Sequence, residues 1–219
     1  MSHVLVMAKA PVAGRCKTRL CPPCTPETAA VIAEAALADT LEAVAACDAE
    51  HKIVALDGEP GSWLLPGLAV IPQRGTGLAE RLANAWIDAG SCSRDGGVQI
   101  GMDTPQVTPA ELNAMLALMS GGVDALLGPA VDGGWWVIGL PAAGPDPRTV
   151  FSGVPTSTAH TGEMQARRLR RLGMELHLAP VRRDIDTAVD LAAVAADIPS
   201  SRTARAARRV LPPAAPTSP

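Results

Sequence analysis

The chain reads as a single-domain α/β fold, a three-layer α/β/α sandwich around a mostly parallel sheet, and three observations predict it. Short apolar runs alternate with Ala-rich or amphipathic segments through the first half, the pattern of strands joined by crossover helices. Those runs are apolar throughout rather than alternating, as in strands buried on both faces. The 219 residues, 47% of them hydrophobic, suffice for one sizeable core.

In chain order, Val4–Ala8 is the first strand. Thr25-Pro26-Glu27 supplies an N-cap, a proline at the first helical position and a first-turn acid, opening a helix to about Ala46. Lys52–Leu56 and Leu68–Ile71 are the next strands, followed by a helix over Leu78–Asp88. Val98–Gly101 is a strand ending at Met102-Asp103, and Thr108-Pro109-Ala110-Glu111 is a capping box that starts a helix to about Met119. Asp124–Leu127 and Trp135–Leu140 are strands joined by a glycine-rich connection. A helix over Thr161–Leu172 stops at Gly173, a strand follows at Glu175–Leu178, and the capping box Thr187–Asp190 opens a last helix over Ala188–Asp197. Residues 1–199 thus form the domain, with no internal repeat. By composition 200–219 is a disordered basic and Pro/Ala-rich tail.

A net charge of −3, one Phe, four Trp and no Tyr argue against nucleic-acid binding. The N-terminal stretch lacks the basic region and extended apolar core of a signal peptide, and no apolar run approaches the ~20 residues of a membrane span. The expected location is the cytoplasm, where the five cysteines would be free thiols. Cys21 and Cys24 have metal or redox spacing but no second pair or histidine cluster, which argues against structural zinc and leaves a redox dithiol in an exposed loop open. The scattered histidines 3, 51, 160 and 177 support neither a metal cage nor a triad. No residue pattern specifies an oligomeric state.

The segment Lys9–Leu20, directly after the first strand, carries Lys9, Arg15, Lys17 and Arg19. Ligands of such sheets sit beyond the carboxyl ends of the strands, so these cations crowd where a ligand would bind. Gly14 permits a turn or close approach, and Pro11 stiffens the loop. A phosphate chain suits it best, because lysine and arginine both bind phosphate oxygens. It is neither a Walker loop, since Arg15-Cys16 separate Gly14 from Lys17-Thr18, nor a three-glycine dinucleotide fingerprint. A solvated basic turn is the competing reading.

Three acidic stations complement the loop. Asp103, in Gly101-Met102-Asp103-Thr104-Pro105, ends a central strand, where a ligand to Mg²⁺ or Mn²⁺ belongs, although taken alone an Asp turn before proline is the more ordinary reading. Asp132 precedes Gly133-Gly134. Asp184 and Asp186 flank Ile185 and share one face if the segment is extended, while Asp186 could instead help start the last helix.

Taken together, Lys9–Leu20, Gly101–Pro105, Gly128–Gly134 and Arg183–Thr187 resemble, in order and spacing, the bacterial glycosyltransferase-A-like group of selenodomain- or arsenosugar-associated transferases. That group is related to molybdenum-cofactor and phospholactate guanylyltransferases. The resemblance implies a Rossmann-like, mostly parallel mixed sheet and a nucleotide bound along Val4–Leu20 through Lys9, Pro11, Gly14, Lys17 and Arg19, with Lys17 and Arg19 on its phosphates; it adds Arg81 to that set. It also implies Asp103 and Asp186 on Mg²⁺ or Mn²⁺, Gly133 and Gly134 beside the transferred group, and Asp103, Asp132 and Asp186 as catalytic acids. The sequence departs from the group at Thr76–Arg81, which lacks an Asp, and at Thr156, where a Trp is usual. The implied activity is metal-dependent transfer from a nucleotide sugar to a small-molecule acceptor. The alternatives are nucleotidyl transfer from a nucleoside triphosphate to a phosphate or carboxylate acceptor with release of pyrophosphate, and an inactive nucleotide-binding scaffold.

Overall fold

The computed structural model describes residues 2–91 and 95–211. Among these, strands β1 (His3–Lys9), β2 (His51–Asp57), β3 (Ala69–Pro72), β4 (Gly97–Gly101), β5 (Ala125–Pro129), β6 (Trp135–Leu140) and β7 (Leu176–Leu178) form one sheet in the order β3-β2-β1-β4-β6-β5-β7. β6 runs antiparallel to both β4 and β5, and the other pairs are parallel, so the sheet is mixed but mostly parallel, as expected.

Helices α1 (Pro26–Ala46) and α3 (Pro109–Ser120) cover one face, where Leu37, Leu41, Leu112 and Met115 pack on Val4, Val6, Val54, Val98 and Ile100. α2 (Leu78–Gly90), α4 (Pro147–Phe151) and α5 (Thr161–Arg171) cover the other, where Leu82, Trp86, Phe151 and Leu169 pack on Leu5, Ile53, Leu127 and Ile138. The expected caps are in place: Thr25 accepts from Thr28 N, and Thr108 and Thr187 form complete capping boxes with Glu111 and Asp190. The exposed arginines of α5 form its solvated face, and Gly173 closes the helix at a φ of +80°.

Three expectations need correction. α4 was not foreseen, because five residues are too few to show a helical period; Asp146 caps it and Pro147 starts it. The chain does not turn disordered at residue 200. Ser201 caps a further helix, α7 (Arg202–Ala207), whose Ala206 and Ala207 join Leu20, Ile32 and Ile185 with Leu191 and Val194 of α6 (Ala188–Asp197) in a third apolar cluster. Cys24 belongs to that same cluster, so the Cys21/Cys24 pair is not an exposed loop dithiol, and burial pushes the Cys24 thiol pKa up. Cys92 and the tail beyond 211 lie outside the described residues.

α7 is tied to α1 by Asp39, which accepts from Thr203 N at 2.8 Å and from the fully buried Thr203 hydroxyl at 2.7 Å. Asp39→Ala orphans both donors and should cost about 1–3 kcal/mol in urea unfolding. His3 sits against Trp86 at the other end of β1, with ring centroids 5.0 Å apart. Burial, reinforced by His51, lowers its pKa to about 4, against an opposing Gly96 carbonyl. The folded state therefore excludes a proton that the unfolded chain takes up below about pH 6.5, so acidification towards pH 4 should remove on the order of 2–3 kcal/mol. Urea unfolding of His3→Leu should show a correspondingly flatter pH profile.

Candidate active site

The cationic loop leaves the C-terminal end of β1 between β2 and β4. It is stapled at its start by a hydrogen bond from Lys9 N to Met102 Sδ (3.1 Å), just past β4. Gly14 turns the loop at a φ of +73°, and Cys16 donates back to the Val12 carbonyl. Lys17 itself is left-handed (φ 47°, ψ 38°), a conformation that costs a non-glycine residue about 1–2 kcal/mol. That backbone carries its side chain inward. The ammonium donates to Asp103 Oδ2 at 2.8 Å, to Asp186 Oδ1 at 3.4 Å and to the Ile185 carbonyl.

Lys17, expected on phosphate, stands with its ammonium among the acids, where its side chain is 11% exposed. Burial alone would lower its pKa, but Asp103, Asp186 and Asp184 outweigh burial and hold it above the usual lysine value. Arg19 is mostly exposed and reaches Asp186 Oδ2 at 2.9 Å.

The acids come from two distant stretches brought to one edge of the sheet. Asp103 follows β4, and its carbonyl accepts from Ile185 N at 3.0 Å, docking the 183–186 segment against it. Gln106 adds a second staple to the Arg183 carbonyl. The segment is extended, so Ile185 points into the third apolar cluster while Asp184 and Asp186 turn towards Asp103. Oxygens of Asp103, Asp184 and Asp186 all lie within 4.8 Å of one another. Desolvation, then repulsion from Asp103, Asp132 and Asp186, pushes the Asp184 pKa up to about 7. Such a repelling all-oxygen set suits a hard divalent cation. Asp184 was absent from the predicted ligands; the Asp-x-Asp alternation was the signal that could have added it.

Two recesses meet at this cluster. One, of about 270 Å³, is cationic, lined by Lys9, Arg15, Lys17 and Arg19. The other, of about 470 Å³, runs between the sheet and α2, α4 and α5 and is lined by neutral and apolar groups apart from its acids and Arg19. Arg19, Met102, Asp103 and Asp186 line both.

The remaining expected residues fall around this seam. Asp132 lines the larger recess but also accepts from Gly134 N at 2.8 Å, so it shapes its own turn. Gly133 was expected to admit a ligand. It admits the protein's own backbone, since a Cβ there would stand 2.0 Å from the Ala159 carbonyl oxygen, at a φ of +89°. Gly134 lines the recess. Pro11 and Gly14 shape the loop, with Pro11 half-buried and the space around Gly14 open. Arg81 lines neither recess; it pairs with Asp57 at 2.9 Å where β2 ends. Exposed His160 is the N-cap residue of α5.

Solved structures extend the comparison. A candidate nucleotide-diphospho-sugar transferase of Desulfovibrio desulfuricans G20 is 26% identical, with a TM-score of 0.86 over 95% of this chain and 94% of that one. A Mycobacterium tuberculosis H37Rv protein solved in complex with manganese shares the fold at 21% identity and a TM-score of 0.53, over 88% and 96% of the two chains. A nucleotidyl transferase of Methanothermobacter shares it at 15% identity and a TM-score of 0.58, over 92% and 99%. Curated proteins gave no significant match. The fold is that of the nucleotide-diphospho-sugar transferase superfamily. One family model covers residues 28–158, more than half of the chain, and the protein therefore belongs to the family described as "Uncharacterized protein conserved in bacteria (DUF2064)".

Proposed function

We propose that the protein is a divalent-metal-dependent transferase that takes a nucleotide-diphosphate donor, foremost a nucleotide sugar, and passes the sugar to a small-molecule acceptor. The observation that carries this reading is the Asp103–Asp184–Asp186 cluster at the seam between a cationic recess and a larger one with apolar walls and acids in its lining. A diphosphate belongs in the first and the transferred group in the second, with the reacting bond at the junction. The likeness to the Desulfovibrio protein and the manganese complex of the mycobacterial one support it.

Asp103 and Asp186 would hold Mg²⁺ or Mn²⁺, joined by Asp184; bound there, the ion would offset the charge that develops on the leaving diphosphate. Lys9, Arg15 and Arg19 bind and orient phosphate oxygens. Lys17 keeps the carboxylates from repelling one another before ligands arrive. Asp132, on the wall of the larger recess, is placed to accept the proton of an incoming hydroxyl. No helix among the described residues is long and apolar enough to cross a membrane, and both substrates are taken to be small molecules of the cytoplasm.

Two experiments test this reading. Thermal unfolding is followed with UDP, GDP, CDP, ADP and dTDP, their triphosphates and their sugars, each with Mn²⁺, Mg²⁺ or EDTA. A metal-dependent rise for the diphosphate forms of one base is expected, about 2.7 kcal/mol near 100 times Kd, and Asp103→Ala should abolish its metal-dependent part. No rise with any member would leave a scaffold, and pyrophosphate release from a triphosphate would move the reading to nucleotidyl transfer. Lys17→Ala supplies the second test. Removing the buried ammonium should cost about 3 kcal/mol in EDTA, and millimolar Mn²⁺ should restore most of that loss, because a cation then re-neutralises the acids.

A further inference from the structure

On the α2 side of the sheet the central strand β4 presents Gly97, Gln99 and Gly101, since Val98 and Ile100 point into the opposite layer. It therefore contributes no apolar side chain to a layer that its neighbours fill with Leu5 and Ile138, the residues paired with Gln99 on β1 and β6. The space above Gly97 is taken by the His3 ring and that above Gly101 by Asp103. Gln99 lines the larger recess together with Met7, Leu82, Trp135 and Phe151, and this stretch is termed the inner recess. Gln99 is 1% exposed, and its Oε1 has no hydrogen-bond partner among the described residues.

An amide buried in an apolar layer without a partner costs stability, about 1–3 kcal/mol, and leucine would fit the surrounding chemistry better. The charge of the recess narrows what could satisfy it. Asp103, Asp132, Asp184 and Asp186 line it, and the one cation among its described lining residues, Arg19, is already paired with Asp186. A phosphate or carboxylate would meet Asp132 even with a cation on the other three acids, whereas a neutral ring fits the apolar walls and its hydroxyl can donate to Gln99.

We propose that this inner recess is the acceptor subsite, that the acceptor is a neutral, hydroxyl-bearing ring compound, and that Gln99 positions it by accepting a hydrogen bond from a hydroxyl other than the reacting one. The assignment of an acceptor rests on the transferase reading; the binding chemistry of the recess does not, and it is tested without nucleotide or metal. Methionine methyl groups are labelled with ¹³C and the protein is titrated with benzyl alcohol, cyclohexanol and phenyl β-D-glucopyranoside, and with toluene and benzoate as controls. The Met7 methyl, on the recess wall, should shift with at least one neutral alcohol and not with benzoate. Gln99→Leu should weaken the binding of that alcohol about tenfold while toluene binds as well or better, the difference of one hydrogen bond. The ligand-free variant should unfold at a temperature equal to or above that of the unaltered chain. Gln99→Met provides a second apolar replacement and should behave alike. Failure of all three alcohols to shift Met7, tighter binding of benzoate, or apolar variants that melt several degrees lower while keeping alcohol affinity would each overturn the proposal. A negative nucleotide and metal panel with a positive alcohol result would sink the transferase reading and leave the recess chemistry standing.

Discussion

The buried ammonium of Lys17 is the interaction on which the rest of the site depends. Asp103, Asp184 and Asp186 are pressed together by chain segments held for other reasons, and burial, followed by repulsion from the neighbouring acids, raises the Asp184 pKa to about 7. A surface lysine would do little against this, because water screens it. Lys17 works because the loop delivers it almost out of solvent, through a left-handed backbone that only local constraint can hold. The strain and the desolvation are both offset by the same three oxygens, so loop and acids are stable only together.

Much of this was legible in the residues. Helix starts are written in short polar patterns with a direct physical reading, and Thr25, Thr108 and Thr187 each cap a helix as their neighbours predict. Buried strands show as apolar runs, and β1, β2, β4, β5 and β6 lie where such runs are, whereas the edge strands β3 and β7 are largely exposed. What failed was structure without a period. α4 and α7 are one to two turns long, and their existence depends on caps and on a partner surface that no local window contains. α7 in particular is held by Asp39, 164 residues earlier than Thr203.

The site shows the same division. Residue types and their order pointed to Asp103, Asp186 and the basic loop, because chemistry is local. Which cation faces which anion is not local, and the residues alone did not foretell that Lys17 pairs with Asp103 and Asp186. Gly133 illustrates a subtler limit. A glycine announces close approach without saying to what, and the Ala159 carbonyl is one such close neighbour here. Gln99 was silent in the sequence, since one glutamine in an apolar strand gains meaning only when its neighbours across the sheet and above it are known.

The third apolar cluster has a consequence for how such a site can diverge. Leu20, which ends the turn beyond Lys17, and Ile185, which separates the two acids, sit in one fully buried cluster with Ile32, Leu191 and Val194. Hydrocarbon packing thus sets the spacing of charges that never touch it. A methyl group gained or lost there would move the carboxylates by fractions of an ångström while leaving every polar residue in place. Ion selectivity depends on just such distances. A cation held there as proposed could therefore be exchanged for another through drift in greasy positions, and a comparison confined to the charged residues would see nothing happen.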